Sequence, residues 1–346
     1  MKILFLSHKF YPDVGGIEVN SEILANYFVK FGAEVHLLTW SQEGTVTKDF
    51  PFAVIRNPGR AKLLSEHKWA DVVFENNPSL KLSWLLLVTG KPHVVAIRTW
   101  ISRMDGTMAL QDKLKLKWIK RANAVIAVSK MVKELTFKDA VVIGNPYREH
   151  LFVDLHLDRD KDFVFLGRLV SDKGADMAID LIKKLSETDL WQQKKYTLTI
   201  IGDGPEKEQL EKMVKEYNLT NYVTFTGMLG GRELTEALNA HKYLLAPSRW
   251  KEPFGNIALE GMACGCLPIV SDGGGLIDAI GDAGIQFERN SIDSLFKNVS
   301  DLLVNPQLEV TLRGRFKEHL KNHQPEFVAG EYYNVIKRVI DKDGKN

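Results

Sequence analysis

Short runs of β-branched and large apolar residues recur along this chain, each followed by a stretch with helical spacing. The alternation predicts parallel sheets covered by helices. In the first half the runs fall at Ile3–Leu6, Val35–Thr39, Asp71–Phe74, His93–Ile97, Ala124–Val128 and Ala140–Ile143. An irregular polar stretch around Asp154–Asp162 interrupts them, and the pattern restarts with Phe163–Leu166, Thr197–Ile201, Val223–Phe225, Tyr243–Leu245 and Leu267–Val270. Two doubly wound α/β domains in series, joined near residues 146–162, account for the restart. Ligands of such sheets bind at the carboxyl ends of the strands, so the expected active site is a cleft between the domains. Positions 326–340 predict a last amphipathic helix with Phe327, Tyr332, Val335, Ile336 and Val339 on one side.

The length of 346 residues fits two domains of ordinary size, and 45% hydrophobic with 26% charged residues is the composition of a globular chain. A formal net charge of +2 argues against a nucleic-acid partner. That average conceals an asymmetry: residues 1–145 hold 20 Lys+Arg against 13 Asp+Glu, while residues 146–346 hold 26 against 31. A basic half and an acidic half can select a partner or a surface. Cys264 and Cys266 lie in one apolar stretch and read as small core residues of a protein from a reducing compartment. The opening MKILFLSHKF lacks the apolar length of a signal peptide, and the longest apolar run elsewhere, Trp84 to Val88, is far short of a bilayer span. A cytoplasmic location is therefore expected.

Four glycine-marked turns carry the candidate chemistry. Gly15 and Gly16 lie between the first strand and the first helix, where the backbone can approach a ligand and the helix start offers amides to an anion. Gly202-Asp203-Gly204-Pro205 again ends a strand and opens a helix, but Lys207 stands where a dinucleotide fingerprint needs its third glycine, which disfavours a nicotinamide dehydrogenase. Arg168 and Lys173, five residues apart after a strand end, combine a planar fork of donors with a compact charge, a pairing suited to a diphosphate. Trp250-Lys251-Glu252-Pro253-Phe254-Gly255-Asn256-Ile257 is a loop that opens an apolar helix with Glu260 inside it. The amides of Gly255 to Ile257 form another anion site. A carboxylate at Glu260 needs either ligand hydroxyls or an Arg or Lys partner.

In this order, the Gly-Gly turn, Gly-Arg-x4-Lys-Gly, Gly-Asp-Gly-Pro, and Glu-Pro-Phe-Gly with a second Glu eight positions after the first resemble the motifs of the retaining GT-B glycosyltransferases of glycosyltransferase family 4. Gly261 to Val270, followed by Gly274-Gly275, is similar to the family's continuation. The resemblance implies a GT-B fold, an acceptor-binding Rossmann-like domain at 1–147 and a nucleotide-sugar-binding Rossmann-like domain at 148–324. The final helix, about 325–342, is expected to pack back on the first domain. It also implies that Arg168 and Lys173 neutralise the donor diphosphate, that Glu252 holds hydroxyls of the transferred sugar, and that Glu260 binds the ribose. The Gly202–Gly204 turn would border the base, and Gly15 and Gly16 would face the phosphates. Such a donor, a UDP-sugar in preference to a GDP-sugar, is a co-substrate; no metal or other cofactor is expected, because the cations stabilise the departing diphosphate and front-side attack needs no strong protein base.

The chain departs from the family pattern at Arg98, where a His is usual. Arg cannot act as a base, so Arg98 is assigned to an anionic acceptor or the donor phosphate, with His8 and Trp100 as further acceptor residues. Asn145 and Asp278 also depart from the pattern. Lys113, Lys117, Lys120 and Arg121 share a helical face beside Leu110, Leu114 and Trp118, a candidate surface for an anionic membrane. The function expected is transfer of a sugar to a glycan or lipid-linked acceptor in cell-surface polysaccharide or lipopolysaccharide biosynthesis, at the inner face of the membrane. A GT-B-fold sugar-nucleotide epimerase and a non-catalytic sugar-nucleotide-binding protein are the alternatives.

Overall fold

The computed structural model describes residues 1–13, 15–44, 48–101 and 107–343. The chain divides into two compact units, Met1–Pro146 with Pro325–Asn346, and Tyr147–Gln324.

The first unit is built on a parallel sheet of β1 (Lys2–Leu6), β2 (Glu34–Thr39), β3 (Ala53–Arg56), β4 (Val72–Asn76), β5 (His93–Ile97), β6 (Ala124–Ala127) and β7 (Val141–Val142). Their order is β3-β2-β1-β4-β5-β6-β7, so the winding reverses between β1 and β4. Central strands of such a sheet are covered on both faces and read as unbroken apolar runs. Ile3, Leu4, Phe5 and Leu6 accordingly have no exposed surface. The helix Pro325–Asp343 belongs to this unit, with Val328, Ala329, Tyr332, Val335, Ile336 and Val339 in one core with Phe5, Phe28 and Phe74. At about 1.5–3 kcal/mol per fully buried large apolar side chain, the helix is held by on the order of 10 kcal/mol, an upper bound. Phe327 is not on that face: it is 47% exposed, and Val328 and Ala329 take the buried positions instead.

The second unit carries β8 (Lys161–Leu166), β9 (Leu198–Ile201), β10 (Val223–Gly227), β11 (His241–Ala246), β12 (Leu267–Ser271) and β13 (Ile285–Phe287), all parallel, in the order β10-β9-β8-β11-β12-β13. Here the winding reverses between β8 and β11, which opens a ligand crevice at their carboxyl ends. The apolar pattern did not single out β3 or β13. Both are edge strands: β3 has no fully buried residue, and β13 is three residues long with Gln286 exposed. The run at Ala140–Ile143 shrinks to the two exposed residues of β7. Among the described residues, no helix is long and apolar enough to cross a membrane.

Candidate active site

At the carboxyl edge of the second sheet, close backbone packing dictates where glycine must stand. Gly202 has φ +144°, and a Cβ there would lie 1.8 Å from the Gly167 carbonyl oxygen; one at Gly204 would lie 2.4 Å from that of Leu169. The turns after β8 and β9 are thus pressed together, joined by Gly167 N–H to Ile201 O at 3.0 Å and Leu169 N–H to Asp203 O at 2.9 Å. Asp203 caps its own turn through the Gly204 amide. Between Gly167 and Leu169, Arg168 is exposed and has no ion-pair partner among the described residues.

The loop after β11 is pinned from three sides. The amides of Arg249 and Trp250 donate to Asp172 O at 2.8 and 3.2 Å, and the Arg249 guanidinium grips both oxygens of Asp176 at 2.7 and 2.6 Å. Ser271 Oγ donates to Ser248 O at 2.7 Å. The Gly275 amide donates to Glu252 O at 2.7 Å. Gly255 opens the helix Asn256–Ala263 with φ +101°, and a Cβ there would lie 2.4 Å from Leu276 Cδ2. Phe254 is buried against His323, so only its backbone can serve a ligand. The amides of Asn256 and Ile257 stand in the first turn of the helix.

This framework brings Lys173 and Glu252 into direct contact across the point where the winding reverses. Lys173 Nζ donates to Glu252 Oε1 at 2.7 Å, and Ser248 Oγ donates to the same oxygen at 2.7 Å. The two lie in separate sequence motifs, and the sequence does not pair them. Glu260, 9% exposed, has the basic partner that the sequence offered as the alternative to ligand hydroxyls, for Arg148 donates to its Oε1 at 3.1 Å. Burial pushes the Glu260 carboxyl above its ordinary range and Arg148 pulls it partly back. Cys264 and Cys266 are fully buried, and burial pushes the Cys266 thiol up to about 12, in keeping with core residues. No group of three or more His, Cys, Asp or Glu among the described residues is placed to share a metal ion.

In the first unit, Gly15 is extended and Gly16 opens the helix Gly16–Lys30, with no atom within 4 Å of where a Gly16 Cβ would stand. His8 follows β1 and is exposed; Trp100 is half-buried on the segment after β5. Arg98 requires a correction. Only 6% exposed, its guanidinium donates to Asn76 Oδ1 and Asn20 Oδ1 at 2.5 Å, to Tyr332 Oη at 2.8 Å and to Asn145 Oδ1 at 3.0 Å. With its donors engaged by neutral side chains, it ties β4, the first helix, the end of the unit's first segment and the last helix together instead of facing an anion. Asn145 gains its role from the same network.

The basic helix also differs from expectation. It spans Leu110–Ile119, so Lys120 is its cap and Arg121 lies beyond it, although Lys113, Lys117, Lys120 and Arg121 are all exposed. Its apolar stripe splits: Trp118 is buried and donates to Glu75, whereas Leu110 and Leu114 are 75% and 48% exposed.

Residues 147–323 match the family Glycosyl transferases group 1. An uncharacterised glycosyltransferase of Methanocaldococcus jannaschii, MJ1178, is 26% identical over 93% of each chain. Among solved structures, HepE of Anabaena, Alr3699, in complex with UDP, superposes with a TM-score of 0.80 at 18% identity over 98% of this chain and 100% of that one. Sucrose-phosphate synthase of Thermosynechococcus elongatus gives 0.77 at 20% identity over 99% of each. The likeness spans both units, and the fold is GT-B.

Proposed function

The chain belongs to the Glycosyl transferases group 1 family, and from that premise we propose that it is a retaining glycosyltransferase, moving a sugar from a nucleoside-diphosphate sugar to a glycan or lipid-linked acceptor of cell-surface polysaccharide or lipopolysaccharide. The observation that carries this reading is the Lys173–Glu252 pair at the reversal point of the second sheet. Arg168 and the first amides of the helix Asn256–Ala263 lie at the same edge. An incoming diphosphate takes Lys173 from Glu252. Lys173 and Arg168 then neutralise the charge that grows on the outer phosphate as the sugar departs, and the released Glu252 accepts hydrogen bonds from the hydroxyls of that sugar. Glu260, with one oxygen held by Arg148, presents the other to the ribose. The Gly202–Gly204 turn borders the base, and the amides of Phe254 to Ile257 hold the diphosphate.

Transfer proceeds by front-side displacement. The acceptor hydroxyl oxygen bonds to the anomeric carbon while the bond from that carbon to the phosphate oxygen breaks, and the hydroxyl proton passes to the leaving phosphate. Configuration is retained, and two cations with helix amides supply the charge stabilisation, so no metal is needed. UDP is the favoured nucleotide over GDP, a choice supported by the UDP seen with the Anabaena protein. Lys113, Lys117, Lys120 and Arg121, flanked by exposed Leu110 and Leu114, form a face for anionic lipid at the cytoplasmic side of the membrane.

The test is a thermal-shift panel of UDP, GDP and their sugars, with and without a chelator. A nucleotide at 100-fold its dissociation constant stabilises by about 2.7 kcal/mol. Arg168→Ala and Glu260→Ala should lose most of the response; if both respond like the parent chain, the donor site is misassigned. The anomeric proton coupling of the product decides retention.

A further inference from the structure

The first unit holds a cavity of about 440 Å³ that no role above explains. It sits where that sheet's winding reverses, between the end of β1, which supplies His8 and Lys9, and the turn after β4, which supplies Asn77, Ser79 and Lys81. The helix Leu110–Ile119 closes it with Gln111 and Lys115. Three lysines from three separate segments therefore line one small space around an imidazole. The carboxylate that shares the cavity, Glu18, is turned toward Gly15, where a Cβ would lie 2.4 Å from its Oε2.

The walls are held by one buried carboxylate. Glu75, with no exposed surface, accepts the Ser79 amide, His93 Nε2 and Trp118 Nε1, each at 2.7 Å. Burial would raise its carboxyl, but these donors bring it below its ordinary range, so it remains a carboxylate. Ser79 is two residues from Lys81 and Trp118 three from Lys115, so Glu75 ties together the two segments that carry these cations. His8 Nδ1 stands 3.4 Å from Ser79 Oγ, which leaves Nε2 for a ligand. Burial, then Lys81, Lys9 and Lys115, hold this imidazole below its usual range, so it is neutral near pH 7.

We propose that this cavity is an oxyanion site that seats a phosphoryl group carried by the acceptor, with Lys9, Lys81 and Lys115 as its cations and His8 as an added donor. The assignment rests on the reading that the first unit takes the acceptor. It narrows the acceptor class from any glycan to one bearing a phosphoryl group near the hydroxyl that receives the sugar. A phosphate entering three convergent cations gains Coulomb energy from each, and its charge favours the protonated form of His8. Gln111 and the Asn77 amide nitrogen, whose oxygen accepts the Arg98 amide at 3.3 Å, remain for neighbouring hydroxyls.

The experiment follows the His8 imidazole C2–H resonance of the intact chain, identified by its loss in His8→Gln. Glycerol 3-phosphate, glycerol and dihexanoyl phosphatidic acid below its micelle concentration are added at near-neutral pH. Glycerol 3-phosphate should move the resonance toward the imidazolium position, and glycerol should not. A response to both phosphate probes supports the site for any phosphoryl source; a response to the phosphatidic acid alone supports a lipid-borne one. Lys81→Gln with Lys115→Gln should weaken binding at least tenfold and raise the His8 titration in the empty chain, while Lys81→Arg retains binding. Silence toward both phosphate probes, an equal response to glycerol, or undiminished binding in the double variant overturns the proposal. Stabilisation by UDP, measured alongside, reports on the second unit, so a failed donor site and a failed acceptor site give different results.

Discussion

Replacing Glu252 by Gln is expected to tighten UDP binding while slowing sugar transfer. Lys173 Nζ lies 2.7 Å from Glu252 Oε1. Two unit charges at that separation attract by about 6 kcal/mol at an effective dielectric of 20 and by about 1.5 kcal/mol in bulk water. The side chains are 18% and 12% exposed, between those limits, and hydration regained on separation offsets most of the attraction. A net of about 1–2 kcal/mol remains. An arriving diphosphate must break that pair. Glutamine has the same length and still accepts from Lys173 and Ser248, so the substitution removes the charge and keeps the loop. UDP affinity should then rise about tenfold, equivalent to about 1.4 kcal/mol. A UDP-sugar should gain less, because an amide is the weaker acceptor for sugar hydroxyls, and kcat should fall. Calorimetric titration of UDP into the parent chain, Glu252→Gln, Lys173→Met and the double variant measures the coupling, and the gain should shrink when Lys173 is absent. If Glu252→Gln binds UDP no better than the parent, with its melting temperature unchanged, the exchange of partners at Lys173 is refuted.

Three further outcomes follow from the same geometry. Arg98→Met leaves the oxygens of Asn20, Asn76, Asn145 and Tyr332 without their buried donor and should destabilise the first unit by about 3 kcal/mol or more in urea unfolding; a loss below about 1 kcal/mol would contradict the assignment of Arg98 as a tie. Gly202→Ala, whose Cβ would meet Gly167 O at 1.8 Å, should unfold the second unit early, whereas Gly16→Ala, with open space around its Cβ, should leave the melting temperature unchanged. Burial raises the Glu260 carboxyl, so its contribution to stability is fully present below its unfolded titration and is lost as pH rises through the folded one. Glu260→Gln should therefore gain stability relative to the parent as pH rises above the ordinary carboxylate range, and a difference that stays flat with pH counts against the burial argument.

The central strands were legible because they are sandwiched between helix layers, where solvent exerts no alternation and the apolar run is the signal. Edge strands lose that signal. β3 has no fully buried residue and β13 pairs on one side, so neither forms a run that stands out from a loop. The turns of the candidate site were legible for a different reason: Gly202 and Gly255 occupy backbone conformations that other residues resist, and a chain retains glycine there whatever binds. What the sequence could not disclose was pairing. Lys173 and Glu252 are 79 positions apart, Arg148 and Glu260 are 112 apart, and Arg98 and Tyr332 are 234 apart. No periodicity connects residues on different turns; only the strand order brings them together. Lys81 and Lys115 escaped notice on the same ground, since each is an ordinary surface lysine until β1 and β4 become neighbours.

Strand order also settles how the charge asymmetry is to be understood. With the last helix counted in the first unit, that unit has 24 Lys+Arg against 17 Asp+Glu, and the second has 22 against 27. The unit assigned to the diphosphate is the negative one. Screening confines exposed charges to about 10 Å at 0.1 M salt, so the overall sign of a unit matters less than the few groups at the carboxyl edge of its sheet. There the second unit sets Lys173 against Glu252, a pair that can exchange its partner for a ligand, and Arg148 against Glu260. The first unit instead gathers Lys9, Lys81 and Lys115 at the corresponding place, with Glu18 turned aside. One edge releases a cation only to a ligand that can replace its carboxylate, and the other holds cations already waiting for an anion. The two edges therefore suit different partners: a sugar diphosphate, which supplies both phosphates and hydroxyls to trade for the broken pair, and an acceptor that brings a phosphoryl group of its own.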